Sequence, residues 1–374
     1  MIDIHSIRNQ RVLLRVDLSY AIRFPVKTAQ IIPTINLLLK NGCGVCIVTS
    51  LGSALVTPAQ SSRALVEILS QHLSKAVKWL PSYKGARIEL GGLYLGENTF
   101  MSNKDVYCDP SFVKELEGLA DVVVFDTLKY VDANYASTQG LLKSSIPKSL
   151  GLKLLDLYKL HQDIQSSKVG LISGGQRVAW QLRLIRSMAK SLSFLAIGGE
   201  LASVFAGKGK ESSGLLQDEV IRTLAILRKE KVKVLYPVDV VAYSAESQRN
   251  RICLYQDLET EEHVYDLGAQ SRNRILKNID ESKVDMVIMS GTIGNVLDPR
   301  YARSSEILIN EIARRNQNKV LIGKSATVVA SRLSVLEHYN YAVEGSTIEM
   351  AYLIENLSLV EQMMLWERKE TVGV

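Results

Sequence analysis

At 374 residues, 47% of them hydrophobic and 22% charged, the chain is long enough for two α/β cores and too apolar and well mixed for a disordered or fibrous protein. Its formal net charge of +6 mildly favours acidic partners or phosphates, but lysine and arginine are spread along the chain without a concentrated basic tail. Four cysteines make no disulfide framework, which points to a reducing compartment, expected to be cytoplasmic.

The N-terminus enters a strand pattern at RVLLRV, 11–16, without the charged, apolar and small-residue regions of a secretory signal. Further strands are predicted at 45–50, 121–125, 168–173, 194–197, 232–236, 285–289 and 319–322, with helix-period segments between them. Several of these runs are apolar on both faces, the mark of parallel strands covered by helices, so the predicted class is doubly wound α/β. Cys43 and Cys46 spell C-x-x-C inside the extended run GCGVCIVTS, where residues three apart point to opposite faces. With no second Cys or His pair nearby, two small buried apolar side chains are expected rather than a metal or redox site. The five histidines, His5, His72, His161, His263 and His338, stand singly and are expected at surface or satisfied core positions.

Residues 149–166, with leucines at 150, 154, 157 and 160, read as one long helix connecting an N-terminal half, 1–148, to a C-terminal half, 167–350. The apolar region 192–207 carries Glu200 and is too short to span a membrane. A helix over 304–317 is expected to set Glu311 and Arg315 one turn apart on its outer face.

Ligands of open parallel sheets bind where strands lead into helices. In the C-terminal half those loops read SGGQR, GGEL, SGTIG and GKSAT, and they place Gly174, Gly175, Gly198, Gly199, Gly291 and Gly294 where backbone N–H groups can approach a phosphate. GKSAT is not the end of a P-loop, because Asn318 stands where that motif needs its first glycine and a strand fills the loop.

With these loops placed, the chain resembles the phosphoglycerate kinase family along nearly its whole length. RVLLRVDLS is similar to the family's first strand with VDFN, VCIVTSLGS to the SHLGR strand, and DTLKYVDANYASTQG to the segment containing AHRAHAST. SGGQRV resembles GGAKV, PVDVV is identical to the family run, and SGTIG resembles NGPMG. The resemblance implies two Rossmann-like domains separated by a cleft, acid substrate on the N-terminal side, nucleotide on the C-terminal side, and a final segment, 351–374, packed back on the N-terminal domain. It also implies a reaction that depends on positive charge and magnesium around a transferred phosphoryl group.

Many of the residues that supply this chemistry are replaced. Asp17 keeps the family aspartate, but the following asparagine is Ser19, and the arginine of the next helix is Lys27. The His and Arg of SHLGR fall on Ser50 and Ser53, the arginine of ENLRF on Thr99, and the cations of AHRAH on Asp132, Ala133 and Tyr135. On the nucleotide side Arg177 retains one lysine's charge, while the aspartate and second lysine of that motif become Trp180 and Gln181. Glu200 replaces a glycine and puts a carboxylate near the expected nucleotide. The metal-binding aspartate of GGGDS is Ala326, beside Thr327, and the late glycine run is reduced to Gly345 beside Glu344. The ribose-holding glutamate falls at Leu297 or Asp298.

Each lost charge of this kind removes about 3 kcal/mol of transition-state stabilisation. On that argument the expectation is a catalytically inactive family member with no cofactor and no metal, serving as a structural or adaptor subunit within a larger protein assembly. The alternative is a divergent kinase that uses Lys27, Arg177 and Mg-ATP on 3-phosphoglycerate. A second alternative, nucleic-acid association through Arg183, Arg186 and Lys190 on one helix face, lacks an accompanying aromatic stacking run and is not expected.

Overall fold

Every residue of the strands β2 (Gly44–Thr49), β5 (Val122–Phe125), β7 (Val169–Ser173) and β13 (Met286–Ser290) is buried, so both faces of each are covered. The computed structural model describes residues 2–19, 21, 25–52, 54, 60–175, 177–208 and 214–343, with backbone alone at 25–27. The chain divides into two units, one running to Tyr158 and the other beginning at Lys159.

The first unit adds strands β1 (Arg11–Val16), β3 (Lys78–Leu80), β4 (Leu93–Gly96) and β6 (Lys148–Leu150) to β2 and β5. Its helices are α1 (Ile32–Lys40), α2 (Val66–Leu73), α3 (Asn103–Val106), α4 (Pro110–Glu117), α5 (Leu141–Lys143) and the start of α6 (Leu152–Ser166). The six strands lie in the order β3-β4-β2-β1-β5-β6, all parallel. The chain begins at β1, moves outward through β2, and then crosses to the other side of β1 to lay down β5. The sheet's switch point is therefore the crevice between the carboxyl ends of β1 and β5.

The second unit repeats this plan. Strands β7, β8 (Leu192–Ile197), β9 (Lys233–Leu235), β13, β14 (Asn318–Ile322) and β15 (Tyr341–Val343) form a parallel sheet in the order β15-β14-β13-β7-β8-β9, with its switch point between β7 and β13. Helices α7 (Val178–Met188), α8 (Gly199–Phe205), α9 (Gly214–Lys229), α10 (Ala269–Ser282), α11 (Arg303–Ala313) and α12 (Lys324–Arg332) connect the strands. A separate antiparallel sheet, β11-β10-β12, is built from β10 (Asp239–Ser244), β11 (Arg249–Leu254) and β12 (Glu262–Leu267). The fold is thus α/β with two parallel sheets, as the alternation of the sequence predicts.

Three details differ from the sequence reading. Ser149 and Leu150 pair with β5 as part of β6, so the long helix opens at Leu152 rather than at 149. Helix α11 ends at Ala313, which leaves Arg315 beyond it; its guanidinium meets Asp280 at 3.0 Å, and Glu311 pairs instead with Arg314 at 3.5 Å. The antiparallel sheet was not foreseen, although PVDVV leads into its central strand. The segment 351–374 lies outside the described residues. No helix among the described residues is long and apolar enough to cross a membrane.

Cys43 and Cys46 are both fully buried and unbonded, and burial pushes the Cys46 thiol up to about 12, so the C-x-x-C is core packing as expected. Close packing also fixes Gly170 of β7, where an added Cβ would lie 2.3 Å from the ring of Phe194 on β8. Gly170→Ala is expected to lower stability by about 1–3 kcal/mol through overpacking. Denaturant unfolding of the variant checks this, and an unchanged midpoint would contradict it.

Candidate active site

At the second unit's switch point four loops converge on the carboxyl edge of the sheet. Gly174 N donates to Ser290 O (3.0 Å), Gly198 N to Ser173 O (3.0 Å), Gly291 N to Ile322 O (2.8 Å) and Gly323 N to Val343 O (2.8 Å). The glycines are required by this mutual approach. A Cβ at Gly174 would meet Thr292 O at 2.3 Å, and one at Gly291 would meet Gly174 O at 2.7 Å. Gly175 and Gly323 adopt φ of 89° and 104°, where a side chain is strained. Gly294 packs directly on Tyr301 O and Asp266, and Gly198 on Ile293. The predicted glycines Gly174, Gly175, Gly198, Gly199, Gly291 and Gly294 therefore do belong to neighbouring turns of one edge.

Helices α7 and α12 start at this edge with no side-chain cap, α7 from Arg177 and α12 from Gly323. Their first N–H groups meet no capping side-chain oxygen, which is the condition under which a helix start can receive an anion. Arg177 is exposed and meets no carboxylate among the described residues. Gln181, which stands in the place of a lysine, is 2% exposed. Its Oε1 accepts from Ser173 Oγ (2.8 Å) and Ser290 Oγ (2.9 Å), tying β7 to β13 with neutral groups where a cation would stand unpaired. Glu200 does not lie open toward the glycine turns: its carboxylate is held by His263 Nδ1 at 2.9 Å.

The start of α12 gives magnesium no protein carboxylate. Ala326 is fully buried, and Thr327 Oγ1 donates to Lys324 O at 3.0 Å. Among the described residues no group of three or more His, Cys, Asp or Glu is gathered for a metal. Leu297 is 87% exposed, and Asp298 caps a short turn and pairs with Arg300 at 2.6 Å. Arg186 spends its charge on Glu219 (2.7 Å) of α9, and Arg183 lies over the Trp180 ring at 4.4 Å, so these two cations are engaged within the unit.

The first unit's switch point gathers a different set. Asp17 follows β1 and accepts from Ser19 N (2.8 Å), and Lys129 from the turn after β5 reaches Asp17 Oδ1 at 3.2 Å and also bonds Ser19 Oγ. Burial works against the Asp17 charge, yet Lys129 and Ser19 outweigh it and hold the carboxyl below its usual range. Beneath them Arg15 is 2% exposed, donating to Val16 O (2.7 Å) and Ser50 Oγ (2.8 Å), and Ser50 Oγ lies 2.8 Å from Thr99 Oγ1. Burial lowers the Arg15 pKa against the pull of Asp105 and Asp17. Phe100, Tyr130 and Tyr135 form one wall, with ring centroids 5.4–5.6 Å apart. Lys129 and Arg15 were missed by reading family positions alone; the available signal was a cation near the end of one predicted strand, Arg15, and another in the loop that follows the second, Lys129. The side chain of Lys27, together with Ser53, Glu344 and Gly345, lies outside the described residues.

Asp126 anchors the turn that carries Lys129. It is 1% exposed, accepts from Thr34 Oγ1 (2.7 Å) and Leu154 N (3.4 Å), and burial raises its pKa to about 6. Asp266, behind the Gly294 turn, is likewise raised by burial to about 6.

With this geometry in place, comparison with known proteins is decisive about family. The model of the family described as phosphoglycerate kinase matches residues 1–354. A phosphoglycerate kinase of Baumannia cicadellinicola is 25% identical over 98% of this chain and 97% of its own length. The chloroplastic phosphoglycerate kinase 1 of Arabidopsis thaliana is 28% identical over 87% of this chain and 73% of its own. The solved phosphoglycerate kinase of Coxiella burnetii superposes with a TM-score of 0.81 at 18% identity, covering 98% of this chain and 99% of that one. That of Pyrococcus horikoshii gives 0.78 at 19%, covering 99% and 100%.

The family match and the kinase relatives overturn the expectation of an inactive scaffold or adaptor subunit, and with it the expectations of a non-enzyme and of no nucleotide cofactor. The physical reason lies in the counting of lost charges. It admitted cations only at family positions, whereas the fold brings Lys129 and Arg15 into the same crevice from elsewhere, and His263 holds the Glu200 carboxylate.

The two raised carboxyls set a pH dependence. Where the folded pKa exceeds the unfolded one, the folded state binds the extra proton, so stability is full below about pH 4 and falls as pH rises toward about 6. Each group contributes a slope of about 1.4 kcal/mol per pH unit inside that window. Asp126→Asn is expected to flatten the fall, as measured by denaturant unfolding between pH 4 and 6.5; a variant with the wild-type slope would contradict the assignment.

Proposed function

The chain belongs to the phosphoglycerate kinase family, and on that premise we propose that it transfers a phosphoryl group between ATP and the carboxyl of 3-phosphoglycerate. The observation that carries this reading is the convergence of four glycine turns, with two uncapped helix starts, on the β7/β13 switch point. The uncapped first N–H groups of α7 and α12 suit the nucleotide's phosphates, since they bring partial positive charge without side-chain bulk. Arg177, exposed at the start of α7, supplies the cation for charge that develops on the transferred group. The acid substrate is assigned to the β1/β5 crevice beside Asp17 and Ser19, with Lys27 as the family-position cation.

Magnesium accompanies ATP in this family's reaction, but Ala326 offers it no oxygen, so no step here runs through a protein-held ion. What the chain contributes is placement and fixed dipoles, the main resources of phosphoryl-transfer catalysts. Gln181 and the serines it joins keep the floor of the nucleotide turns rigid without carrying charge.

A coupled assay with ATP, magnesium and 3-phosphoglycerate is expected to show turnover. Arg177→Ala should lower kcat by about 10²–10³-fold with the KM for the acid little changed. Folded protein that consumes no ATP in the presence of 3-phosphoglycerate would refute the proposal.

A further inference from the structure

We infer that Lys129 is the residue that takes the anionic end of the acid substrate, replacing from the turn after β5 the cations lost at Ser50, Thr99 and Ala133. The inference rests on the reading of the β1/β5 crevice as the 3-phosphoglycerate site. Lysines usually extend into water, but this side chain is 28% exposed and folds inward to Asp17 and Ser19. Its ammonium stands 4.9 Å over the Tyr130 ring. Ordering a lysine side chain costs conformational entropy, so its inward fold needs a stabilising partner.

The turn itself is strained in the same place. Tyr130 adopts φ 61°, the left-handed region that non-glycine residues seldom occupy, while Lys129 N donates to Thr127 Oγ1 (3.1 Å) and Tyr130 OH to Gly52 O (3.2 Å). Backbone strain of this kind persists only where its surroundings impose it. Here the strained turn aims the cation at the switch point, the position at which a parallel sheet receives its ligand.

Charge at the crevice supports the same assignment. An ammonium has three donors, and the contacts to Asp17 and Ser19 engage two of them. Among the described residues no hydrogen bond takes the third, which we assign to an oxyanion. Arg15 lies fixed below, with its Nε buried and unpartnered among the described residues, so its positive charge adds to the potential that the anion meets. Ser50 links the two cations: it accepts from Arg15 through Oγ (2.8 Å) and from Ser19 through its carbonyl (3.4 Å).

The test titrates 3-phosphoglycerate into the full chain by calorimetry, for the wild type, Lys129→Met and Lys129→Arg, with Mg-ATP titrated separately and coupled turnover recorded. Lys129→Met is expected to weaken 3-phosphoglycerate binding roughly 10- to 100-fold, the worth of one charged hydrogen bond, with Mg-ATP affinity unchanged and the melting midpoint lowered because Asp17 loses its partner. Lys129→Arg should stay within about tenfold of the wild type, since it keeps the charge with a different donor geometry. Should the methionine variant fail to fold, Lys129→Gln, which keeps a polar end without the charge, carries the same expectation.

Wild-type affinity in the folded Met or Gln variant overturns the role of Lys129 and, if turnover persists, leaves the kinase reading intact. Lys129-dependent binding without any turnover supports Lys129 and removes the kinase reading. A wild type that binds no 3-phosphoglycerate overturns both.

Discussion

The molecule's chemistry depends on the reversal of strand order in each parallel sheet. Between β1 and β5, and again between β7 and β13, adjacent strands send their chains off in opposite directions, and the loops that would otherwise cover the sheet's edge diverge. Each crevice is therefore lined by the first residues after two central, fully buried strands. Because those strands are held on both sides by neighbours and on both faces by side chains, the crevice residues stand on the most rigid part of each unit. Asp17 with Lys129, and Gly174 with Gly291, are the two pairs this arrangement creates.

The two crevices gather positive potential by different physical means. The second unit uses backbone dipoles: its glycine turns touch one another so closely that a methyl group would collide, and the side chains of Gln181, Ser173 and Ser290 on its floor are neutral and bonded to one another. The first unit uses side-chain charge, with one cation at the mouth and one buried. Arg15 is costly to bury, and its hydrogen bonds to Val16 O and Ser50 Oγ together with the nearby charges of Asp105 and Asp17 offset that cost.

Much of this was legible in the sequence. The strands now called β1, β2, β5, β7, β8, β13 and β14 are short and mostly apolar, and these runs identified them within a residue or two. The glycine turns were visible for the same reason, since a glycine directly after such a strand has few other uses. The antiparallel sheet was harder, because β11, RNRICL, is an exposed edge strand with little burial to stamp a pattern on it. Helix α6 began late because Ser149 and Leu150 suit either element, and pairing with β5 decided between them. Lys129 was invisible to motif comparison for a different reason. Its position depends on which loop faces Asp17 across the sheet, and that is set by strand order, which a sequence separation of 112 residues conceals.

The central claim, that each unit receives its ligand at its own switch point, is tested most directly by amide hydrogen exchange on the full chain with and without ADP and 3-phosphoglycerate. The account predicts protection by ADP in 173–181, 290–295 and 322–327, and protection by 3-phosphoglycerate in 16–19 and 126–131. Protection centred on other segments, or none at saturating ligand, would contradict it.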